Sequence, residues 1–282
     1  MSIQDEVNVA VCAELDRACE KNNNTIVMVS LVGDRGYGIV AGEKAEYEVC
    51  YTYTRGVEDY LSLGPARMLP TMTAVLLSNG ASLTITSMDI KDLLGGFLVG
   101  DLNCLELPFR PSMAESLGYR DEWWVKTLEE LGRTTKEYAE QWLRPHTASD
   151  QYFNRFLGFS KGIAKDVIPE DTKALLEFDL RLMRTVRYGM CSIHVKACEQ
   201  ITVDQGALLT TVPDSVSKAW MLAIAGLGHR PMAMEDRLAL LNMVKTLEGT
   251  RGTTKLAAHP TPRLGDPRQL SSFFRWVIGH RP

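Results

Sequence analysis

The sequence predicts an α/β chain in two parts: a mixed β-sheet with helices over residues 1–120, then a helical domain over residues 121–282. Three observations predict it. Short β-branched apolar runs are confined to the front of the chain. Helix-period patterns take over from about residue 120, punctuated by Pro145, Pro169, Pro213, Pro260 and Pro262. The length, 282 residues, is about twice the ~150-residue prior for one domain. With 45% hydrophobic and 23% charged residues, the composition excludes a collagenous or disordered chain. The net charge of −4 argues against nonspecific affinity for nucleic acid or an anionic membrane over the whole surface.

Residues 5–20 place Val7, Val11 and Leu15 four apart among charged residues, the pattern of an amphipathic first helix. Thr25–Val32 is a β-branched run bounded by glycine and reads as a central strand buried on both faces. It ends in the turn Gly33-Asp-Arg-Gly-Tyr-Gly38. From Glu46 to Thr54 the chain alternates with a period of two, a second strand with Glu46 and Glu48 on one face and Tyr47, Val49, Tyr51 and Tyr53 on the other. A turn at Arg55-Gly56 leads into an expected helix over Met68–Leu77. Leu83–Ser87 is expected to be a third strand, and Asp89 the cap of a helix running towards Val99. Expected helices then cover 121–143, 149–166, 170–190, 214–227, 234–247 and 267–278, with a soft boundary between the two parts around 110–145.

The six cysteines are scattered, with no C-x-x-C pair, and read as free thiols of a reducing compartment. Asp5 and Glu6 stand where a signal peptide would be basic, and no apolar run approaches the ~20 residues that span a bilayer. A cytoplasmic protein with no membrane partner is the expectation. The histidines His146, His194, His229, His259 and His280 are isolated and lack metal-ligand spacing. Arg263, Arg268, Arg275 and Arg281 accompany Phe273, Phe274 and Trp276 at the C-terminal end. That segment reads either as an amphipathic helix docked on its own domain or as a tail that contacts RNA or a partner.

Chemistry concentrates between residues 33 and 57. Glycines after a strand let backbone N–H groups approach a triphosphate, and paired carboxylates hold divalent cations against it. Alternate residues of a strand lie about 6.8 Å apart at Cα, so long glutamate side chains can converge on one or two ions. Glu46 and Glu48 are therefore candidate metal ligands, and a solvated strand face is the competing account.

Gly33-Asp-Arg-Gly-Tyr-Gly38, Glu46-Tyr-Glu48 and Arg55-Gly-Val57, in this order, resemble motifs of the nucleotidyltransferase superfamily of DNA polymerase β-like folds, in particular predicted bacterial and phage members. Those carry a turn like G-S-R-x-Y-G, then S-D-x-D, then R-G-V. The likeness extends through Gly100–Pro108, Phe156–Gly162 and Lys173–Leu182, where Lys173, Glu177 and Arg181 share a helical face; it covers about residues 25–205. The resemblance implies transfer of a nucleoside monophosphate from an NTP to an acceptor that is RNA, protein or a small molecule. Glu46 and Glu48 would hold Mg²⁺ or Mn²⁺, and Gly33, Asp34, Arg35, Tyr37, Gly38, Lys173 and Arg181 would bind the nucleotide. There are departures. Asp34 replaces the motif serine, Glu-x-Glu replaces Asp-x-Asp, the third carboxylate expected near Thr84 or Thr86 is absent, and Glu177 replaces the helix histidine. They keep open a second reading, a catalytically degenerate member that serves as a binding scaffold, phage-encoded and directed at a host protein in the host cytoplasm.

Overall fold

A computed structural model describes residues 2–22, 24–39, 46–61, 72–118, 122–142, 145–163, 168–226, 230–250 and 267–279. Met68–Thr71 of the expected helix and the residues His229, His259, His280, Arg263 and Arg281 lie outside them. The chain divides into two compact units: Met1–Gly36, Lys44–Trp142 and Arg263–Pro282 form one, Tyr37–Glu43 and Leu143–Pro262 the other.

The first unit contains helix α1 (Ile3–Asn22), strand β1 (Thr25–Val32), the single turn α2 (Gly33–Gly36) and strand β2 (Tyr47–Thr54). There follow α3 (Val57–Leu61), β3 (Met72–Leu76), β4 (Ser82–Asp89) and α4 (Ile90–Val99). The short α5 (Leu102–Glu106) runs into a 3₁₀ turn (Leu107–Phe109), and then come α6 (Ala114–Leu117) and α7 (Glu122–Trp142). The four strands form one mixed sheet in the order β1-β2-β4-β3, with β2 and β4 parallel and the outer pairs antiparallel. Strand alternation gives the sheet two unlike faces. Val49, Tyr51, Leu83 and Ile85 project to one side, where Val7, Val11 and Leu15 of α1 complete an apolar core. Glu48, Cys50, Thr52, Thr84 and Thr86 have the opposite parity and occupy the other face.

The expected helix over Met68–Leu77 is corrected by the structure: Met72–Leu76 is a strand paired antiparallel to β4, from Met72 opposite Thr86 to Leu76 opposite Ser82. A five-residue run, apolar but for Thr73, carries little periodic information, so long-range pairing decides its state. The tight turn behind it supports that pairing. Leu77 N–H donates to Ala81 O at 2.9 Å, Asn79 Oδ1 accepts from Ala81 N–H at 2.9 Å, and Gly80 takes a φ of 80°. Asp89 caps α4 as expected, accepting from Lys91 N–H at 2.8 Å, and Gly100 in the left-handed region ends that helix. At the other end of the chain, α13 (Pro267–Gly279) docks on its own unit. Phe273 is fully buried and stacks on Tyr138 with ring centres 4.2 Å apart, while Phe274 meets Tyr60 edge-on at 5.0 Å.

The second unit is helical: α8 (Pro145–Ile163), α9 (Thr172–Cys198), α10 (Gln205–Leu209), α11 (Asp214–Gly226) and α12 (Met234–Gly249). Asp171 caps α9 by accepting from Ala174 N–H at 2.9 Å. The helix continues to Cys198, past the expected end at residue 190, because its last turns bury Cys191, His194 and Val195. Inside the unit, Asp179 is fully buried and grips Arg237 through two oxygens, Nε–Oδ1 at 2.6 Å and Nη2–Oδ2 at 2.9 Å.

His194 supplies a pH dependence. Burial holds its imidazole below the ordinary histidine value, against the opposing effect of a hydrogen bond with the Ala207 backbone. The unfolded chain therefore binds a proton that the folded chain resists. Stability is fully present above the unfolded value of about 6.5 and is lost as pH falls through it towards the lower folded value. Denaturant melts between pH 7.5 and 5 should show this loss, and a His194→Gln variant should flatten it; an unchanged slope in the variant would exclude His194 as the source.

Candidate functional site

The site starts where β1 ends. Val32 gives way directly to the Gly33–Gly36 turn, and two glycines make so abrupt a reversal feasible. Gly33 takes a φ of 64°, which L side chains rarely adopt. At Gly36 a β-carbon would run into the carbonyl oxygen of Leu31, so only glycine lets the turn fold back against its own strand.

Strand pairing then brings an acid to that turn. Val32 is opposite Glu48 in the antiparallel β1–β2 ladder, so Glu48 arrives beside the first residue of the turn. Its carboxylate occupies the space that a side chain at position 33 would need, since a β-carbon on Gly33 would collide with Glu48 Oε1. On its other side Glu48 is level with Thr84 of β4. Glu46 stands two residues earlier, just ahead of β2, and is exposed. Arg35 is half-buried, with its guanidinium carbon 3.9 Å from the centre of the Tyr47 ring, a cation–π contact that holds it against β2. Asp34 is half-buried in the same turn.

The sheet face beyond Glu48 is lined by Cys50 and Thr52, both buried, then by Thr84 and Thr86. Burial pushes the Cys50 thiol up, offset in part by a hydrogen bond with Thr86, and burial drives Cys104 up to about 12. Neither thiol is an available nucleophile at neutral pH. The first carboxylate further along β4 is Asp89, which is fully engaged. Besides capping α4 it accepts from Arg55 Nε at 2.7 Å and Tyr60 O–H at 2.9 Å. Arg55 of the Arg-Gly-Val motif thus works as a tie between the end of β2 and the end of β4.

The other predicted nucleotide-binding residues belong to the second unit. Tyr37 has the guanidinium of buried Arg187 3.7 Å from its ring centre, and its carbonyl accepts from Gln205 Nε2 at 2.8 Å. A β-carbon on Gly38 would meet the same Gln205 amide. Lys173 and Arg181 are exposed on α9 with Glu177, as their four-residue spacing requires, and Arg181 lies 5.9 Å from the Phe178 ring centre. Sequence reasoning missed Arg187 and Arg110. Arg110 is buried, pairs with buried Glu106 and brings Nη1 to 3.6 Å from the β-carbon position of Gly36. The four-residue spacing of Glu106 and Arg110 was a readable signal for the pair; their place beneath the turn was not.

The donor chemistry fits a hard divalent cation. Among the described residues no group of three or more His, Cys, Asp or Glu side chains stands ready to hold an ion. Mg²⁺, however, ordinarily keeps several waters and takes one or two carboxylates plus substrate phosphates, which Glu48 and Glu46 can supply. Among the described residues no helix is long and apolar enough to cross a membrane.

No protein-family model matches the chain, and no curated protein matches it. Among solved structures the chain resembles a nucleotidyltransferase-like protein from Exiguobacterium sibiricum 255-15, at 10% identity and a TM-score of 0.31, over 87% of this chain and 75% of that one. This is a distant structural likeness, alongside the mixed sheet and helices described above.

Proposed function

We propose that the chain is a metal-dependent nucleotidyltransferase that moves a nucleoside monophosphate from an NTP to an acceptor hydroxyl on RNA, protein or a small molecule. The observation that supports this reading is the carboxylate of Glu48 held against the Gly33 turn, an acid of the kind that binds cations next to a glycine turn of the kind that binds phosphate. The acceptor oxygen attacks the α-phosphorus, the bond from that phosphorus to the bridging oxygen breaks, and pyrophosphate leaves. Glu48 and Glu46 would hold Mg²⁺ or Mn²⁺, which when bound offsets the charge of the phosphates. The N–H groups of Gly33–Gly36 face the triphosphate, and Arg35, steadied by Tyr47, opposes the charge that builds on the leaving group. Asp34 would repel a phosphate alone, so the reading requires the cation to bind with the nucleotide.

A second reading, a degenerate scaffold that binds a host protein, is favoured by one specific observation: Asp89, the first carboxylate beyond the Thr84 and Thr86 positions, is consumed by Arg55, Tyr60 and the α4 cap. Metal separates the two. Paired carboxylates repel each other in the apo protein, so bound cation stabilises the fold by about RT ln(1 + [L]/Kd), roughly 2.7 kcal/mol at a hundredfold excess over Kd. Mg²⁺ or Mn²⁺ with NTP should raise the melting temperature of the wild type and leave a Glu46→Gln, Glu48→Gln variant unchanged. Identical melting curves for both proteins would favour the scaffold.

A further inference from the structure

A buried ion pair lies beneath the glycine turn. Glu106, the last residue of α5, and Arg110, just past the 3₁₀ turn, are both buried, and Glu106 accepts from Arg110 Nη2. Arg110 Nη1 comes to 3.6 Å from the β-carbon position of Gly36. The residues that follow Arg110 are stitched to the outer edge of β1. Leu31 N–H donates to Pro111 O at 3.0 Å, Met113 N–H donates to Val29 O at 2.9 Å, and an isolated bridge joins Ser30 to Ser112. Leu31 stands just ahead of the turn, and its carbonyl oxygen is the atom that a β-carbon on Gly36 would strike. One short segment therefore braces the turn twice, at the Leu31 backbone through Pro111 and at Gly36 through the Arg110 guanidinium.

Stability alone does not ask for charge at these two positions. Burying an ion pair costs desolvation, and an apolar pair of similar volume is often as stable or more so. What the pair adds is direction. A carboxylate that grips one nitrogen of a planar guanidinium fixes the plane of the fork, so the other nitrogen is held at a set place. Here that place is under Gly36. The opposite side of the turn is set by strand register, because Val32 opposite Glu48 brings the acid to Gly33. A turn that drifts from Arg110 changes the gap between its own N–H groups and the Glu48 carboxylate, and a site held about 1 Å too loosely loses much of its function.

We propose that the Glu106–Arg110 pair positions the Gly33–Gly36 turn against Glu48 and thereby sets the affinity of the site for cation and nucleotide together. Arg110 is a positioning residue that acts through the turn, with no part in the transfer chemistry. The inference rests on the transferase reading for what the turn binds, and on the geometry alone for the brace itself.

The test compares the 282-residue chain with two variants. Glu106→Leu, Arg110→Met replaces both partners and so strands no charge, while Arg110→Lys keeps the charge and loses the planar fork. Hydrogen exchange is read by mass spectrometry without metal or nucleotide. In both variants the peptide covering Leu31–Gly36 should exchange at least tenfold faster than in the wild type, while the β2 peptide Tyr47–Thr54 keeps its protection. The apparent affinity for Mg²⁺ with each NTP in turn, read from the melting temperature, should fall at least tenfold in both. Wild-type exchange over Leu31–Gly36 in a folded variant would overturn the proposal. So would failure of both variants to fold, which would make the pair a part of the core and nothing more, and so would faster exchange with undiminished affinity. A wild type that ignores Mg²⁺ with every NTP would sink the transferase reading instead, and exchange would still decide the brace.

Discussion

Replacing Asp179 with alanine is expected to destabilise the helical unit by about 3–5 kcal/mol, the cost of leaving a buried charge without its partner. Few side chains in the chain are so fully committed. Asp179 is 0% exposed and Arg237 2%. Besides the two bonds between them, Asp179 Oδ2 accepts from Met232 N–H and Arg237 Nη2 donates to Met232 O, each at 2.7 Å. The pair therefore also fixes the backbone ahead of α12. Without the carboxylate, the guanidinium stays inside an apolar bundle and the Met232 N–H loses its acceptor. Trp220, fully buried in the same unit, reports the transition by fluorescence in urea. An Asp179→Leu, Arg237→Met double variant should recover most of the loss, because replacing both partners removes the stranded charge. A loss below about 1 kcal/mol for Asp179→Ala would mean that solvent reaches Arg237 and that the pair is not sealed inside the bundle.

Gly33→Ala is expected to act on stability and on chemistry together. The left-handed backbone conformation, φ 64°, costs a non-glycine residue about 1–2 kcal/mol. The new methyl group also claims the space of Glu48 Oε1, and Glu48, the flexible partner, swings away. The melting temperature should fall, and the response to Mg²⁺ or Mn²⁺ with NTP should weaken at least tenfold in apparent affinity. Gly36→Ala separates the two effects. Its β-carbon meets the backbone oxygen of Leu31, which cannot swing aside, so strain of about 1–3 kcal/mol should appear with the acid left in place. A Gly33→Ala protein that responds to metal like wild type would sever Glu48 from the site.

The contrast between what could be read and what could not has a physical basis. β1 and β2 were legible as strands because β-branched residues crowd into short runs and β2 alternates over eight residues, which also placed Val49, Tyr51 and Tyr53 on the core side; the expected central place of β1 is corrected, since it is an edge strand of the sheet, paired along its length with β2 alone. The strand at Met72–Leu76 was not, since four apolar residues and a threonine suit a helix or a strand until β4 pairs with them. In the site, Gly33 and Glu48 were both picked out, but their contact follows from the register that sets Val32 opposite Glu48. The Arg-Gly-Val motif and the cap at Asp89 were each visible, yet the bond between Arg55 and Asp89 joins positions 34 apart, beyond any local pattern. Arg110 beneath Gly36 is a still longer connection. Helical spacing put Lys173 and Arg181 on one face of α9, while periodicity says nothing of what that face meets.

Incubation of the 282-residue chain with each α-labelled NTP and Mg²⁺ or Mn²⁺, with pyrophosphate release followed in parallel, tests the proposed activity most directly. Purified protein alone, a bacterial RNA fraction and a bacterial protein extract serve as acceptors in separate reactions. The account predicts label transferred covalently to one of them with stoichiometric pyrophosphate, dependent on divalent metal and reduced at least a hundredfold in Glu48→Gln. Neither label nor pyrophosphate under any of these conditions, or equal product from wild type and Glu48→Gln, would contradict it.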